Sequence, residues 1–222
     1  MLTRGLFITG TDTGVGKTVV AAALIHRFRD ELSLRYWKPI QTGIELDDDT
    51  SVVQMLGRCS DLEIFTSGVR LPRPLSPHLA ARLAGERIDR ERLAQMAEAR
   101  PCDLTWLVEG AGGALVPISD VHRMTDLMSR LGLGVIVVAR STLGTINHTL
   151  LTLEALRNRA LRIAGVVMVG PPNPDNRDAI KQFGDVSIVA EMPFFASLTP
   201  EVLCAWARIG MDPAGLLKEF LQ

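Results

Sequence analysis

Gly10-Thr11-Asp12-Thr13-Gly14-Val15-Gly16-Lys17-Thr18 joins a strand-like segment, Leu6 to Thr9, to an apolar run of helical period, Val19-Val20-Ala21-Ala22-Ala23-Leu24-Ile25. Small residues between strand and helix let successive backbone N–H groups turn inward around an anion. The free N–H groups and dipole of the following helix add to that preference. Gly16-Lys17-Thr18 at the helix start completes a phosphate-binding loop, in which Lys17 would reach the β- and γ-phosphates and the Thr18 hydroxyl would ligate Mg²⁺. One detail departs from the Gly-x-x-x-x-Gly-Lys-Thr pattern: its first glycine falls on Thr11, with Gly10 one place earlier.

Outward from this loop, short apolar runs alternate with longer segments of helical period, the signature of β-α-β units. The fold class that follows is α/β, a P-loop NTPase fold with a mainly parallel central sheet and helices on both faces. Strands are predicted at Leu6 to Thr9, Leu34 to Lys38, Leu104 to Glu109, Val135 to Ala139, Ile163 to Val169 and Val186 to Ala190. Val135-Ile136-Val137-Val138 reads as a central strand buried on both faces. Helices are predicted at Thr18 to Glu31, Thr50 to Leu56, His78 to Leu83, Arg90 to Ala99, Met124 to Leu131, Thr145 to Asn158, Arg177 to Phe183 and Ala214 to Leu221. Asp49 and Asp89 stand where N-caps would, and Gly132 where a C-terminal glycine would. The proline-rich stretches Leu71 to Pro77 and Pro171 to Pro174 read as loops.

The 222 residues, 47% of them hydrophobic, suffice for a substantial core, and one domain over residues 1–222 is expected. With 24 basic and 25 acidic side chains the net charge is −1, which gives no long-range field for nucleic acid or an anionic membrane. No apolar run approaches the ~18 to 20 residues of a spanning helix, so a cytoplasmic protein is expected. Cys59, Cys102 and Cys204 lack metal or redox spacing and read as reduced, mostly buried thiols.

Open parallel sheets bind ligands beyond the carboxyl ends of their strands. There, Lys38 stands before Pro39 at the end of the second predicted strand, either projecting toward the phosphates or simply solvated. Glu109 ends the third, ahead of Gly110-Ala111-Gly112-Gly113, where P-loop enzymes keep a Mg²⁺-directed acid. Asp49 closes the run Asp47-Asp48-Asp49, a pattern that by itself fits a solvated loop or a helix cap as readily as a site.

Taken together, these residues resemble the dethiobiotin synthetases. The loop Gly10 to Thr18 has that family's form, displaced glycine included. Lys38-Pro39 with Thr42-Gly43, Ser76-Pro77-His78, Val108 to Gly113 and Gly144-Thr145-Ile146-Asn147-His148 follow in the family's order, over about Thr9 to Leu151. The resemblance implies closure of a ureido ring on 7,8-diaminopelargonate with CO₂, using ATP and Mg²⁺. It implies catalytic roles for Lys17 and Lys38, and metal ligation by Thr18, Asp49 and Glu109.

The nucleotide set it implies is Gly14, Val15, Gly16, Lys17, Thr18, Val19, Asp49, Glu109, Gly110, Ala111, Gly112, Gly170, Pro193, Phe194, Phe195 and Glu201. The substrate set is Thr42, Gly144, Thr145, Ile146 and Asn147, the last four supplied by the partner subunit of a homodimer. Asn147-His148 also reads as helix-start capping, and Phe194-Phe195 as core aromatics after a strand. Where the family often has an adenine-reading asparagine, this chain has Val169-Gly170-Pro171-Pro172-Asn173. Two rivals share the loop. Dimerising switch ATPases of the MinD and ParA kind carry an extra lysine where Asp12 stands. Amide-forming synthetases of cobalamin assembly normally carry a fused glutaminase domain.

Overall fold

The computed structural model describes residue 2 and residues 4–222. In chain order the elements are β1 (Gly5–Gly10), α1 (Lys17–Phe28), β2 (Leu34–Trp37), β3 (Ile40–Thr42), α2 (Asp49–Gly57), β4 (Ile64–Phe65) and β5 (Val69–Leu71). Then follow α3 (Pro77–Ala84), α4 (Arg90–Glu98), β6 (Thr105–Gly113), α5 (Met124–Leu131), β7 (Gly134–Arg140) and α6 (Thr145–Arg157). The chain ends with β8 (Ile163–Val169), α7 (Pro174–Gly184), β9 (Ile188–Met192), α8 (Pro200–Gly210) and α9 (Lys218–Leu221). Seven strands form one sheet in the order β4-β2-β6-β1-β7-β8-β9, while β3 and β5 pair apart from it. Every ladder between these strands is parallel.

The apolar strands are buried on both faces because helices cover each side. Period-2 alternation sorts their side chains: Leu6, Ile8, Tyr36 and Leu107 face the core under α1, α2 and α8, whereas Phe7, Trp37, Trp106 and Val108 face the opposite core. Val135 to Ala139 is wholly buried, one place from the central strand β1. Trp37, Phe65 and Trp106 pack mutually at centroid separations of 5.5 to 5.9 Å, within the range of favourable tilted and edge-on contacts.

Several boundaries differ from the sequence expectation, each for a local reason. Asp48, not Asp49, caps α2 by accepting from the Thr50 N–H at 3.0 Å, which frees the Asp49 carboxylate. Asn173 caps α7, so Pro174 opens that helix instead of belonging to a loop; Pro77 likewise opens α3. The expected helix from Ala214 is only the single turn Lys218–Leu221, and α8, capped by Thr199, falls in a stretch for which no helix is predicted. Lys38 itself lies just beyond β2. Of the cysteines, Cys59 is buried, but Cys102 is exposed and Cys204 half-buried. The caps at Asp89 and Gly132 form as read. Among the described residues no helix is long and apolar enough to cross a membrane.

Candidate active site

The loop after β1 is shaped by two glycines. Gly16, at φ 99°, is the left-handed residue that turns the chain into α1. Gly10 accounts for the displaced first glycine: a Cβ there would lie 2.7 Å from Val15 Cγ2 and 2.9 Å from the Asp12 carbonyl oxygen. Thr11, half-buried, stands clear of that constraint. Gly10→Ala is therefore expected to cost about 1 to 3 kcal/mol of stability by overpacking, read as a lower urea midpoint. Lys17 Nζ donates to the Asp12 carbonyl at 3.0 Å across the same turn. Arg140, at the end of β7, donates to the Thr13 carbonyl at 3.2 Å and lies 3.5 Å from Asp12 Oδ2.

Four segments, α1, α2, β6 and the end of β2, converge on the mouth of this loop. Thr18 Oγ1 stands 3.0 Å from Asp49 Oδ1 and 3.1 Å from Glu109 Oε1. Lys38 Nζ bridges the two acids, 2.5 Å from Asp49 Oδ2 and 2.7 Å from Glu109 Oε1, and also donates to the Gly110 carbonyl at 3.2 Å. Glu109 and Lys38 are 0% and 3% exposed, so the ion pairs form in a largely dry site. Tyr36 OH donates to the other Glu109 oxygen, Oε2, at 2.9 Å. Tyr36 lies in β2 and Lys38 one residue past its end, two positions further on. Arg70 of β5 ties the turn after Lys38 by donating to the Lys38 carbonyl at 2.8 Å.

These contacts set the protonation states. Burial, and then the neighbouring Lys38 charge, lower the Lys17 ammonium to a pKa of about 8, against partial support from Glu109 and Asp49. Burial also acts against a charged Lys38, but Glu109 and Asp49 outweigh it and raise its pKa. At Asp49 burial is likewise outweighed, here by Lys38 and Thr18, which hold the carboxyl below its ordinary range. Burial, reinforced by Glu109, pushes the Tyr36 phenol well above its ordinary value, so it is a neutral donor. The oxygens of Thr18, Asp49 and Glu109 form a hard donor set of the kind Mg²⁺ takes, with room left for phosphate oxygens and water.

A cavity of about 780 Å³ opens over this cluster, with Thr42, Ser76, Pro77 and Val116 in its walls beside Ala111 and Gly112. A second cavity, of about 380 Å³, shares Gly14, Gly16 and Val19 with it and continues past Val15 to Pro193, Phe194 and Phe195. Gly170 backs that wall, where its Cβ position would lie 3.6 Å from the Phe194 ring. Phe194 is 71% exposed, and Phe195 is backed by Trp206 at 6.0 Å. Glu201 lies outside both cavities, ion-paired with Arg58 on the surface. Gly144, Thr145, Ile146 and Asn147 open α6 but line neither cavity of their own chain. Thr145 Oγ1 donates back to the Arg140 carbonyl at 2.5 Å, while Asn147 is exposed and makes no side-chain cap. Tyr36, Arg70 and Arg140 were not among the residues expected at the site. Of the three, only Tyr36 carried a sequence signal, the strand period that places it beside Lys38.

A strand, phosphate loop and helix, with acid and lysine at neighbouring strand ends, define a P-loop NTPase. The fold matches that of a ParA family ATPase from Chlorobium tepidum at a TM-score of 0.58 and 12% identity, over 93% of this chain and 98% of the other. A family model described as an AAA domain matches residues 4–202. The ATP-dependent dethiobiotin synthetase BioD of Paramagnetospirillum magneticum is 50% identical over 88% of this chain and 91% of its own length. That of Agrobacterium fabrum is 45% identical over 88% and 89%. The bifunctional biotin biosynthesis protein BioCD of Bordetella avium is 44% identical over 92% of this chain and 43% of its own. The chain belongs to the dethiobiotin synthetase family and is an ATP-dependent ligase.

Proposed function

We propose that this protein closes the ureido ring of dethiobiotin on 7,8-diaminopelargonate, using CO₂ and ATP. The observation that carries the reading is the buried Lys38, clamped between Asp49 and Glu109 at the mouth of the phosphate loop. Ring closure needs charge stabilisation more than a nucleophile. A carbamate forms on one substrate amine, takes the γ-phosphoryl group, and is attacked by the second amine as phosphate leaves. Lys17 and Lys38 offset the charge on the carbamate and the transferring group from fixed positions, which costs no reorganisation during reaction. Thr18, Asp49 and Glu109 would hold Mg²⁺, which would supply further charge neutralisation at the phosphates.

In this reading Thr42 meets the substrate in the larger cavity, and the smaller cavity takes the nucleoside. The N–H groups at Gly144 to Asn147 are offered to the substrate carboxylate of a second copy of the chain, consistent with their lining neither cavity described above. Exposed apolar side chains beside that helix start suit a homodimer: Leu143 is 101% exposed and Leu151 is also exposed. The reaction is assigned to the cytoplasm and to small-molecule substrates, without nucleic acid or membrane. Asp12, at the place of the extra lysine of ParA-type switches, favours the synthetase reading over that rival.

The test supplies ATP, Mg²⁺, ¹⁴C-bicarbonate and the diamine. Expected are ADP and an acid-stable labelled product in equal amounts, both dependent on the diamine. ATP hydrolysis indifferent to the diamine, or stimulated by lipid instead, would sink the reading.

A further inference from the structure

We propose that Tyr36 is a positioning residue for Glu109. Its phenol holds the carboxylate so that Oε1 faces Thr18 and Lys38, and this inference rests on the metal role given to Glu109 above. The Tyr36 OH is 2.9 Å from Oε2, while Oε1 takes the contacts from Lys38 at 2.7 Å and Thr18 at 3.1 Å. Both Tyr36 and Glu109 are fully buried, so no solvent can replace a missing donor. A carboxylate with one oxygen undonated in such a place turns about its terminal bond to share its donors, and the phenol removes that freedom.

The sheet sets the reach. Tyr36 sits opposite Leu107 in the β2–β6 ladder, and Glu109 lies two residues further along the same face. Lys38 lies two residues beyond Tyr36, just past the end of β2, so one short stretch of chain supplies both the group that pairs with Oε1 and the group that fixes Oε2. Tyr36 lines neither cavity, so its influence on a ligand there passes through Glu109.

The test uses Tyr36→Phe, which keeps the packed ring and removes only the hydroxyl. Mn²⁺ binding to protein and ADP, followed by electron paramagnetic resonance, is expected to weaken about tenfold, the usual scale for losing an outer partner of a metal ligand. The Mg²⁺ concentration for half-maximal activity should rise in step, with kcat at saturating Mg²⁺ falling much less. A purely structural tyrosine would lower the melting temperature and leave both metal constants in place; equal Mn²⁺ affinity in variant and wild type overturns the proposal. A wild type that binds no Mn²⁺ with ADP overturns the metal role of Glu109 and this proposal with it.

A second measurement does not depend on metal or turnover. Tyr36 is the chain's single tyrosine, so ¹³Cζ-tyrosine labelling yields one resonance. Glu109→Gln should shift it in the nucleotide-free protein, and an unmoved resonance would show that phenol and carboxylate are not coupled.

Discussion

Lys38→Gln is expected to lower ring closure by about 10³-fold, the upper end of what one preorganised donor supplies to a charged transition state, and to do so mainly through kcat. The same change removes the cation shared by Asp49 and Glu109. Two acids then face each other, Glu109 buried and Asp49 only partly exposed. Leaving such charges unpaired costs about 3 to 5 kcal/mol, so the urea midpoint should fall alongside activity. Lys38→Arg should not restore turnover, because a planar fork cannot replace a compact ammonium gripped at 2.5 and 2.7 Å from two sides. Turnover within a few fold of wild type in Lys38→Gln would remove the residue from the chemistry.

Lys17 carries the second large effect. Its ammonium has a pKa of about 8 in the free protein, and phosphate favours the charged form. Binding therefore draws in a proton wherever the free lysine is neutral. ATP affinity is expected to be flat below about pH 7.5, then to fall up to tenfold per pH unit as the pH rises past 8. The last ionisation of the phosphate, near pH 6, lies well below this window. Calorimetry in buffers of different ionisation heat should register proton uptake at pH 9 and almost none at pH 7. Lys17→Gln should bind ATP about 100-fold more weakly, with that upper-pH slope removed. A wild-type affinity that stays flat to pH 9.5 would contradict the low value at Lys17.

Much of this architecture is legible before any coordinates. Leu6 to Thr18 displays a strand, turn and helix in one reading, and the most apolar run does become a buried interior strand. Lys38 and Glu109 show in the sequence because each ends an apolar strand-like run. What stayed hidden depends on partners distant in the chain. Strands as short as Ile64–Phe65, Ile40–Thr42 and Val69–Leu71 are too brief for alternation to register and exist because a neighbour pairs with them. Asp49 could not be separated from Asp48, since only the fold shows which carboxylate caps the helix and which meets Thr18 and Lys38. The α8 helix has a recognisable start signal in Thr199-Pro200, although no helix is predicted there. Tyr36 shares a face with Lys38 by strand period alone, but its acceptor comes from a strand about seventy residues away.

The strand order carries one more implication. From β2 through β6, β1, β7 and β8 to β9 is five steps, about 24 Å at the usual interstrand spacing. Along that line the proposed bond-making groups stand at one end, the phosphate-binding loop at the middle and the proposed nucleoside wall at the other. Changes near Gly170 or Phe194 can therefore accumulate in a lineage while Lys38, Asp49 and Glu109 stay under unrelenting selection, so relatives should diverge first in which nucleotide they accept and last in what they make.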